Sequence, residues 1–253
     1  MRVETIDLPK EANDLPWSIF LERHIPFPLK YSPSQLDHNR SSSKPQDSDP
    51  RARRNSVSIN IKHTQNPETS KDSEPSKYTT IKDSELEECF RLIEHTSGDS
   101  YRSSGFGWHP RRKKREMREK DMKYLLVHDE GPPPDQKRDS KNSSPQTSTL
   151  QGFLSFMLTY EDGQPVIYIY EVHLVDAAQG CGLGRHMINL VEKIGKSTAM
   201  QKSMLTVFRS NHKAVRWYEG LGYEIDQYSP ADKKLRAGKV KQADYLILSK
   251  KLL

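Results

Sequence analysis

The stretch Gln179-Gly-Cys-Gly-Leu-Gly184 lies between the apolar run 166–175 and a helical pattern over 183–200. This order predicts a strand, a glycine-rich turn and a helix. Glycine lets the backbone approach an anion closely, and N–H groups at the start of a helix present the positive end of the helix dipole to it. The stretch therefore predicts a site for a nucleotide-like cofactor that carries a pyrophosphate.

The spacing of the glycines distinguishes between cofactor classes. A dinucleotide fingerprint, G-x-G-x-x-G, needs a third glycine where Arg185 stands, and an acidic residue about 20 positions further on, where the chain has 204–209. A Walker loop, G-x-x-x-x-G-K-[ST], is absent from the sequence. The remaining pattern is Gln/Arg-x-x-Gly-x-Gly/Ala, which by itself is also compatible with ordinary tight-turn glycines.

Composition predicts one core of moderate size, since only 33% of the 253 residues are hydrophobic. Residues 39–76 are almost entirely polar, with Val57, Ile59 and Ile61 as the large apolar positions. Such a segment buries too little surface to order itself, so we expect a disordered linker there and a disordered loop insertion at 131–148. The apolar residues within 1–38 predict a segment that packs on the core, and 77–253 is the expected domain.

Charge and cysteine content bound the environment. Cys89 and Cys181 lack metal-ligand spacing, which predicts neither a disulfide framework nor a metal site and favours a reducing compartment. No apolar run approaches the roughly 20 residues that cross a bilayer, and the N-terminus has no signal core, so we expect an intracellular, soluble protein. The net charge is +6, and its densest source is 111–118. That segment is either a solvated helix face or a patch for nuclear import or polyanion binding.

Hydrophobic periodicity predicts a mixed α/β sheet. A helix is expected from Asp83 or Ser84 to Ser97-Gly98, followed by an aromatic loop over 101–108 and a charged helix to about Met122. A hairpin turn is expected at Glu161-Asp162-Gly163. The remaining expected elements are strands at 124–127, 152–158, 166–174, 204–208, 223–225 and 245–248, and helices at 183–200 and 211–218.

A second motif, Asn211-x-x-Ala214-x-x-x-Tyr218-Glu219-x-x-Gly222-Tyr223, follows the glycine-rich stretch by one strand. The two motifs in this order resemble the GCN-five-related N-acetyltransferase (GNAT) superfamily. The resemblance implies the GNAT fold, an α/β (α+β) architecture with a mixed, mostly antiparallel central sheet flanked by helices. It also implies acetyl-CoA as co-substrate and no metal.

Four further stretches, 105–108, 168–174, 204–212 and 223–226, resemble the histone-specific N-alpha-acetyltransferases (the NatD family), with similarity over roughly 78–249. This resemblance implies acetyl transfer to the N-terminal Ser amine of histones H-four and H-two-A, whose tails begin Ser-Gly-Arg-Gly. Histone tails are then the partners, in the cytoplasm and nucleus. We expect a monomer without direct nucleic-acid or membrane contacts.

Three residues are predicted to be catalytic. An ammonium near pKa 8 must lose a proton before it attacks a thioester, so a carboxylate or tyrosine should lie close to it, acting directly or through water. Glu171 is the leading candidate because an unpaired carboxylate is costly at the end of an apolar strand. The alternative is a charge on an exposed strand face. Tyr170 and Tyr218 are the other two, and Tyr218 stands where many GNAT enzymes place the acid that protonates the leaving thiolate.

The resemblance also implies the cofactor contacts. Backbone groups of Val172, His173 and Leu174 would pair with the pantetheine arm as an added strand does, and Asn211 would hydrogen-bond the same arm. Arg185 either adds charge at the pyrophosphate or is solvated. The residues implied around the pyrophosphate are Gln179, Gly180, Cys181, Gly182, Leu183, Gly184 and Arg185.

Side-chain alternation places Tyr168 and Tyr170 on one strand face, where they either guide a substrate peptide or pack in an aromatic core. The substrate residues implied by the resemblance are Tyr101, Phe106, Trp108, Thr159, Glu161, Tyr168, Tyr170, Thr206 and Tyr245. Thr159 replaces an acidic residue that the family often has, and Phe106 replaces a Trp.

Two rival functions fit parts of the same pattern. A lysine or small-amine acetyltransferase would share the cofactor half and differ at the acceptor site. A degenerate fold could bind acetyl-CoA or a histone tail without catalysis, but the intact glycine stretch, Glu171 and Asn211 argue against it.

Overall fold

The computed structural model describes residues 6–26, 29–32, 57–64, 80–129, 149–234, 236 and 240–253. The helices are α1 (Leu8–Asn13), α2 (Trp17–His24), α3 (Asp83–Ser103), α4 (Pro110–Glu116), α5 (Leu183–Ser197) and α6 (His212–Glu219). The strands are β1 (Lys30–Tyr31), β2 (Val57–His63), β3 (Lys123–Asp129), β4 (Leu150–Glu161), β5 (Gln164–Leu174), β6 (Lys202–Phe208), β7 (Glu224–Ile225), β8 (Lys233–Lys234), β9 (Val240–Lys241) and β10 (Tyr245–Lys251). None of the helices described is long and apolar enough to cross a bilayer.

Eight strands form one sheet in the order β1-β2-β3-β4-β5-β6-β10-β7, and β8 and β9 form a separate ribbon. All neighbours in the large sheet are antiparallel except β5 and β6, which are joined through α5. A parallel pair needs such a crossover because a tight turn cannot connect its ends. The paired part is short, from Val166 opposite Lys202 to Ile169 opposite Leu205, so the two strands separate beyond Ile169.

Two apolar clusters cover the two faces of the sheet. The larger one contains the stripe of α5, including Met187, Ile188 and Val191, packed against β3 to β6. This stripe follows helical spacing, so burying it against the sheet stabilises α5 in place. The smaller cluster packs α3 residues such as Phe90 and Ile93 against Tyr124 and Phe153. Helices therefore lie on both faces of the sheet. The gap where β5 and β6 separate lies in the sheet between these two helical layers.

The segment before the polar stretch contributes to the larger cluster through Phe20, Ile25, Leu29 and Tyr31. The linker predicted at 39–76 is wrong at 57–63, where β2 pairs with β3 along its whole length. Alternate residues of β2 lie on the core face, so three apolar side chains suffice for a seven-residue strand inside an existing sheet. The other residues of that predicted linker, and the predicted insertion at 131–148, lie outside the described residues.

Two predicted helix ends are wrong. Helix α3 continues through Gly98 to Ser103, because Gly98 is a buried, helical position rather than a left-handed cap. Tyr101 therefore lies in the last helical turn and not in a loop. The charged helix is shorter than predicted: α4 begins with Pro110 as its first residue and ends at Glu116. Turns follow it, and Asp121 has a left-handed backbone with φ of 69°.

The hairpin between β4 and β5 turns at Asp162 and Gly163, whose φ angles are 48° and 77°. Two consecutive positive φ angles are characteristic of the type I′ turn that matches the twist of a hairpin. The strands on either side continue the ladder from Glu161 opposite Gln164 to Gly152 opposite Leu174.

Candidate active site

A β-bulge in β5 sets the direction of the central side chains. Ser155 lies opposite Glu171 and Phe156 lies opposite Ile169, so Tyr170 is an extra residue in the ladder. An extra residue shifts the alternation of all later side chains. As a result, Tyr170, Glu171 and His173 all contact the α3 and α4 side of the sheet, whereas Ile169 packs in the larger core.

Glu171 forms a buried ion pair with Lys113 of α4. The Lys113 Nζ lies 2.8 Å from Glu171 Oε1 and 2.6 Å from Glu116 Oε1. Only 9% of the Lys113 side chain and 10% of the Glu171 side chain are exposed. Burial raises the pKa of Glu171, but the Lys113 charge and the His173 hydrogen bond outweigh it and lower that pKa to about 2. Glu171 is therefore paired and ionised at neutral pH, not the unpaired carboxylate that the sequence suggested.

His173 fixes the second oxygen of the carboxylate. Its Nε2 lies 2.6 Å from Glu171 Oε2, and its Nδ1 lies 2.5 Å from Thr96 Oγ1. Thr96 Oγ1 also donates to the carbonyl oxygen of Leu92 at 2.8 Å. This chain of contacts anchors Glu171 to helix α3, so the carboxylate is held from two sides and has little freedom to rotate.

An aromatic cavity of about 380 Å³ lies beside this charged group. Its volume is in the range of small-ligand sites. Five elements contribute to it, namely α3, α4, β5, β6 and β10, together with the loop before α4. The predicted substrate residues that line it are Tyr101, Phe106, Trp108, Tyr168, Tyr170, Thr206 and Tyr245. Lys113 and Arg112 also line it, so the ion pair adjoins the aromatic walls.

Ring contacts hold the cavity walls. Tyr101 meets Phe208 edge to face at 4.9 Å, and Phe106 lies 5.1 Å from Tyr245. Such pairs are the preferred arrangements of aromatic rings. The Tyr168 hydroxyl lies 2.6 Å from Thr206 Oγ1 and thereby links β5 to β6. Burial raises the pKa of Tyr168 to about 12, so this hydroxyl keeps its proton at neutral pH.

Two predicted substrate residues do not line the cavity. Thr159 pairs with Val166 in the ladder between β4 and β5, and Glu161 lies next to the hairpin turn. Burial and the neighbouring Asp162 raise the pKa of Glu161. Burial raises the pKa of Tyr170 as well, and the Glu161 charge adds to that shift. Glu161 is therefore within electrostatic reach of the tyrosines that line the cavity.

The glycine-rich turn forms an open loop at the start of α5. Gly180 has a φ of 72° with no other atom within 4 Å of the position of a Cβ, and Gly182 has a φ of 87°. The first helical bond runs from His186 N to Gly182 O, so the amides of 183–185 have no acceptor inside the helix. Left-handed glycines, open space and free helical amides fit a pyrophosphate.

Other side chains of the loop hold it together. Gln179 Nε2 donates to the carbonyl oxygen of Leu174 at 3.1 Å, and Cys181 Sγ lies 3.0 Å from the carbonyl oxygen of Ala178. At Gly184 a Cβ would come within 3.1 Å of the Trp217 ring, so a small residue lets α5 and α6 pack closely. Leu183 is buried and Arg185 is exposed.

The remaining predicted cofactor and acid residues lie around the gap between β5 and β6. On the edge that faces β6, Val172, His173 and Leu174 have no strand partner among the described residues. Asn211 caps α6, with Oδ1 accepting from Ala214 N at 3.0 Å, which leaves its Nδ2 outside the cap. Tyr218 is buried against Trp217 and Tyr223. Burial raises the pKa of Tyr218, and Glu171 adds to the shift.

Sequence reasoning missed the partners of Glu171. Lys113 lies in a run of basic residues, and helical spacing to the buried Met117 is the signal that could have assigned it to the inner face of α4. Thr96 and the β-bulge carry no sequence signal, because both depend on tertiary register. Among the described residues, no group of three or more His, Cys, Asp or Glu side chains is arranged to hold a metal.

Comparison with known proteins gives a consistent result. Residues 110–223 match the profile of the Acetyltransferase (GNAT) family. The chain is 31% identical over 173 residues to N-alpha-acetyltransferase 40 of Saccharomyces cerevisiae, a match that covers 59% of this chain and 55% of the relative. The chain thus spans about half the length of this curated relative.

Solved structures with similar folds have low sequence identity. A GNAT-family acetyltransferase of Staphylococcus aureus is 10% identical, with 78% of this chain and all of that chain covered and a TM-score of 0.49. Naa50 of Arabidopsis thaliana, in complex with a bisubstrate analogue, is 16% identical, with 67% and 94% covered and a TM-score of 0.43. The family match, with the mixed, mostly antiparallel sheet flanked by helices, confirms the predicted GNAT fold.

Proposed function

We propose that this chain, whose residues 110–223 match the GNAT family, is an acetyl-CoA-dependent N-terminal acetyltransferase. One observation carries the proposal: β5 bears Glu171 and the two cavity tyrosines, Tyr168 and Tyr170, and the same strand leads into the glycine loop. A site for an amine and a site for a pyrophosphate therefore meet on one strand. The similarity to N-alpha-acetyltransferase 40 supports an α-amine as the acceptor.

The proposed substrate is the N-terminal Ser of histones H-four and H-two-A. Support comes from the resemblance of 105–108, 168–174 and 204–212 to the histone-specific enzymes. The dimensions agree with this substrate, since a cavity of about 380 Å³ accepts the first residues of an extended peptide but no folded surface. Glu161 lies beyond the tyrosines and provides a negative charge for the third residue, Arg. With this substrate the protein would act in the cytoplasm and nucleus.

In the proposed reaction, acetyl-CoA supplies the activated acetyl group. The glycine loop, the open edge at 172–174 and Asn211 Nδ2 would hold it. The protein's main contribution is then to position the peptide amine, which converts a bimolecular encounter into a reaction between two bound groups. Tyr168 and Tyr170 line the path of the peptide, and the ring pairs around Tyr101 and Phe106 keep that path rigid.

Glu171 acts in this proposal as a fixed negative charge. A carboxyl group with a pKa of about 2 is a weak acceptor for a proton from an ammonium near pKa 8. The ionised carboxylate can instead orient a water molecule that relays the proton to a base in bulk solvent, and it stabilises the positive charge that develops on the attacking nitrogen. Tyr218 keeps its proton at neutral pH, which fits a donor to the leaving thiolate.

The test uses purified protein, acetyl-CoA and two peptides. One peptide begins Ser-Gly-Arg-Gly with a free α-amine, and the other has a blocked α-amine but keeps its lysines. Mass spectrometry locates the acetyl group. We expect acetyl on the free N-terminus alone. Acetyl on lysine in the blocked peptide would favour a lysine acetyltransferase, and transfer to neither would favour another amine acceptor or a binding module.

A peptide that begins Ser-Gly-Ala-Gly sharpens the test of substrate class. If Glu161 recognises the third residue, this peptide should show a higher KM and an unchanged kcat. Equal KM values for the Arg and Ala peptides would overturn the histone assignment but leave N-terminal acetylation intact.

A further inference from the structure

A tyrosine hydroxyl in the segment before the polar stretch reaches the glycine loop. Tyr31 lies in β1, with 4% of the residue exposed, and its hydroxyl donates a hydrogen bond to the carbonyl oxygen of Cys181. The Tyr31 ring also lies 5.0 Å from the ring of His186 in the first turn of α5. Tyr31 thus contacts both the loop and the helix that follows it.

The sheet fixes Tyr31 from the other side. Tyr31 pairs with Val57 in the ladder between β1 and β2, and Leu29 accepts a backbone hydrogen bond from Ile59 at 2.9 Å. The ring belongs to the larger apolar core. Since backbone and ring are both held, the hydroxyl occupies a defined position beside the loop.

Because a peptide unit is planar, the hydrogen bond to the Cys181 carbonyl also fixes the direction of the next N–H group. In a trans peptide unit the carbonyl of one residue and the N–H of the next point in opposite directions. The Cys181 carbonyl is held toward Tyr31, so the Gly182 N–H points in the opposite direction within the peptide plane, away from Tyr31. A carbonyl that rotated the other way would present a negative dipole where the pyrophosphate is proposed to lie.

We propose that Tyr31 is a positioning residue for coenzyme A, which fixes the Cys181–Gly182 peptide so that the loop presents N–H groups to the pyrophosphate. This inference rests on the proposed function. It extends the binding machinery to a residue 150 positions before Cys181. The residue lies outside 110–223, the part of the chain that matches the family.

The test is the variant Tyr31→Phe, which removes the hydroxyl and keeps the ring against His186. Coenzyme A binding is measured by isothermal titration calorimetry without peptide. Loss of one neutral hydrogen bond that orients the loop should weaken binding about three- to tenfold. A matched control is Tyr124→Phe, which removes a hydroxyl bonded to the Met117 carbonyl at 2.5 Å in the other cluster. This control should bind coenzyme A like the wild type.

An acetyl donor that lacks the pyrophosphate shows whether Tyr31→Phe acts through the orientation of the loop or through a general loss of activity. With acetylpantetheine as donor, Tyr31→Phe should match the wild type in kcat/KM, whereas with acetyl-CoA its KM should rise and its kcat should not change. Equal loss with both donors would overturn the inference, as would wild-type affinity of Tyr31→Phe for coenzyme A. If the wild type itself fails to bind coenzyme A, the proposed function fails instead.

Discussion

The two halves of the candidate site are built in opposite ways. The glycine loop consists of six consecutive residues, and its proposed ligand contacts are backbone N–H groups. The acceptor half, meaning the aromatic cavity and the adjoining buried Lys113–Glu171 ion pair, takes side chains from five elements and from the loop before α4. A loop of this kind depends on backbone conformation. The acceptor half depends on tertiary packing that brings Lys113, Glu171 and His173 together.

This difference predicts where each half is vulnerable. Substitutions that change charge should damage the acceptor half and leave coenzyme A affinity intact. Substitutions that change backbone freedom should damage the loop and leave the charged group intact. The two kinds of damage are measured separately, by peptide turnover and by coenzyme A binding.

The largest effect is expected from Lys113→Met. The variant leaves Glu171 as a buried carboxylate without its cation, which should lower the free energy of unfolding by about 3–5 kcal/mol. Denaturation by urea measures the change. Adding Glu171→Gln to this variant should restore part of the stability, because the unpaired charge is then gone.

The neighbouring residue provides the control. Lys114 pairs with Glu87 at 2.7 Å, but both side chains are more than a third exposed. Lys114→Met should therefore change stability little, as is usual for exposed ion pairs. If both variants lowered the free energy of unfolding equally, burial of the Lys113–Glu171 pair would not be the cause of the larger expected effect.

The second largest effect is expected at acid pH, where protonation of Glu171 should lower the free energy of unfolding. The pKa of Glu171 lies at about 2 in the folded protein, below its ordinary value of 4.5. A carboxyl group whose pKa is lowered by folding stabilises the folded protein at pH values above its unfolded-state pKa. This stabilisation is lost as the pH falls through the folded-state pKa. Between about pH 4.5 and pH 2, Glu171 should thus contribute a loss of about 3 kcal/mol. The measurement compares unfolding of the wild type and Glu171→Gln across this range, and parallel curves would contradict the prediction.

Turnover should fall by about 100-fold or more in Glu171→Gln, since the proposed role of Glu171 is that of a fixed negative charge near the acceptor amine. Coenzyme A affinity should stay within about twofold of the wild-type value. The substitution lies outside the glycine loop, and changes at independent sites have independent effects on free energy. Steady-state kinetics and calorimetry give the two values. Turnover at the wild-type level would remove Glu171 from the reaction.

The same contrast explains how much the sequence could predict. The loop was recognisable because its function resides in contiguous glycines, and the hairpin and α5 follow from local turn residues and helical spacing. The alternation rule correctly grouped Tyr168 with Tyr170, which lie 5.3 Å apart. These features need only local chemistry.

Features that depend on distant contacts were missed. Strand β2 sits in a polar stretch and is stable only because β1 and β3 flank it. The bulge at Tyr170 is a matter of register with β4, and it is the bulge that turns Glu171 toward Lys113. Gly98 fits a helix end by composition, yet α3 continues through it because neighbouring residues of α3 are buried against the sheet. Periodicity within one element contains none of this information.

The smallest effect is expected from Gly182→Ala in the loop. Gly182 has a φ of 87°, a conformation that costs a residue with a Cβ about 1–3 kcal/mol. Either the loop keeps this strain or its N–H groups turn away from the pyrophosphate, so coenzyme A should bind about tenfold more weakly. The substitution does not touch the Lys113–Glu171 ion pair. The pH dependence of unfolding at acid pH should therefore keep the shape that it has in the wild type.

Gly163→Ala is the matched control for that variant. Gly163 has a φ of 77° in the hairpin turn, with nothing within 4 Å of the position of a Cβ, so the substitution brings similar backbone strain without a clash. Because the strain lies outside the loop, it should reduce stability without changing coenzyme A affinity. If both variants weakened coenzyme A binding equally, the loss would reflect general destabilisation, and the contrast between a backbone-built loop and a side-chain-built acceptor half would fail.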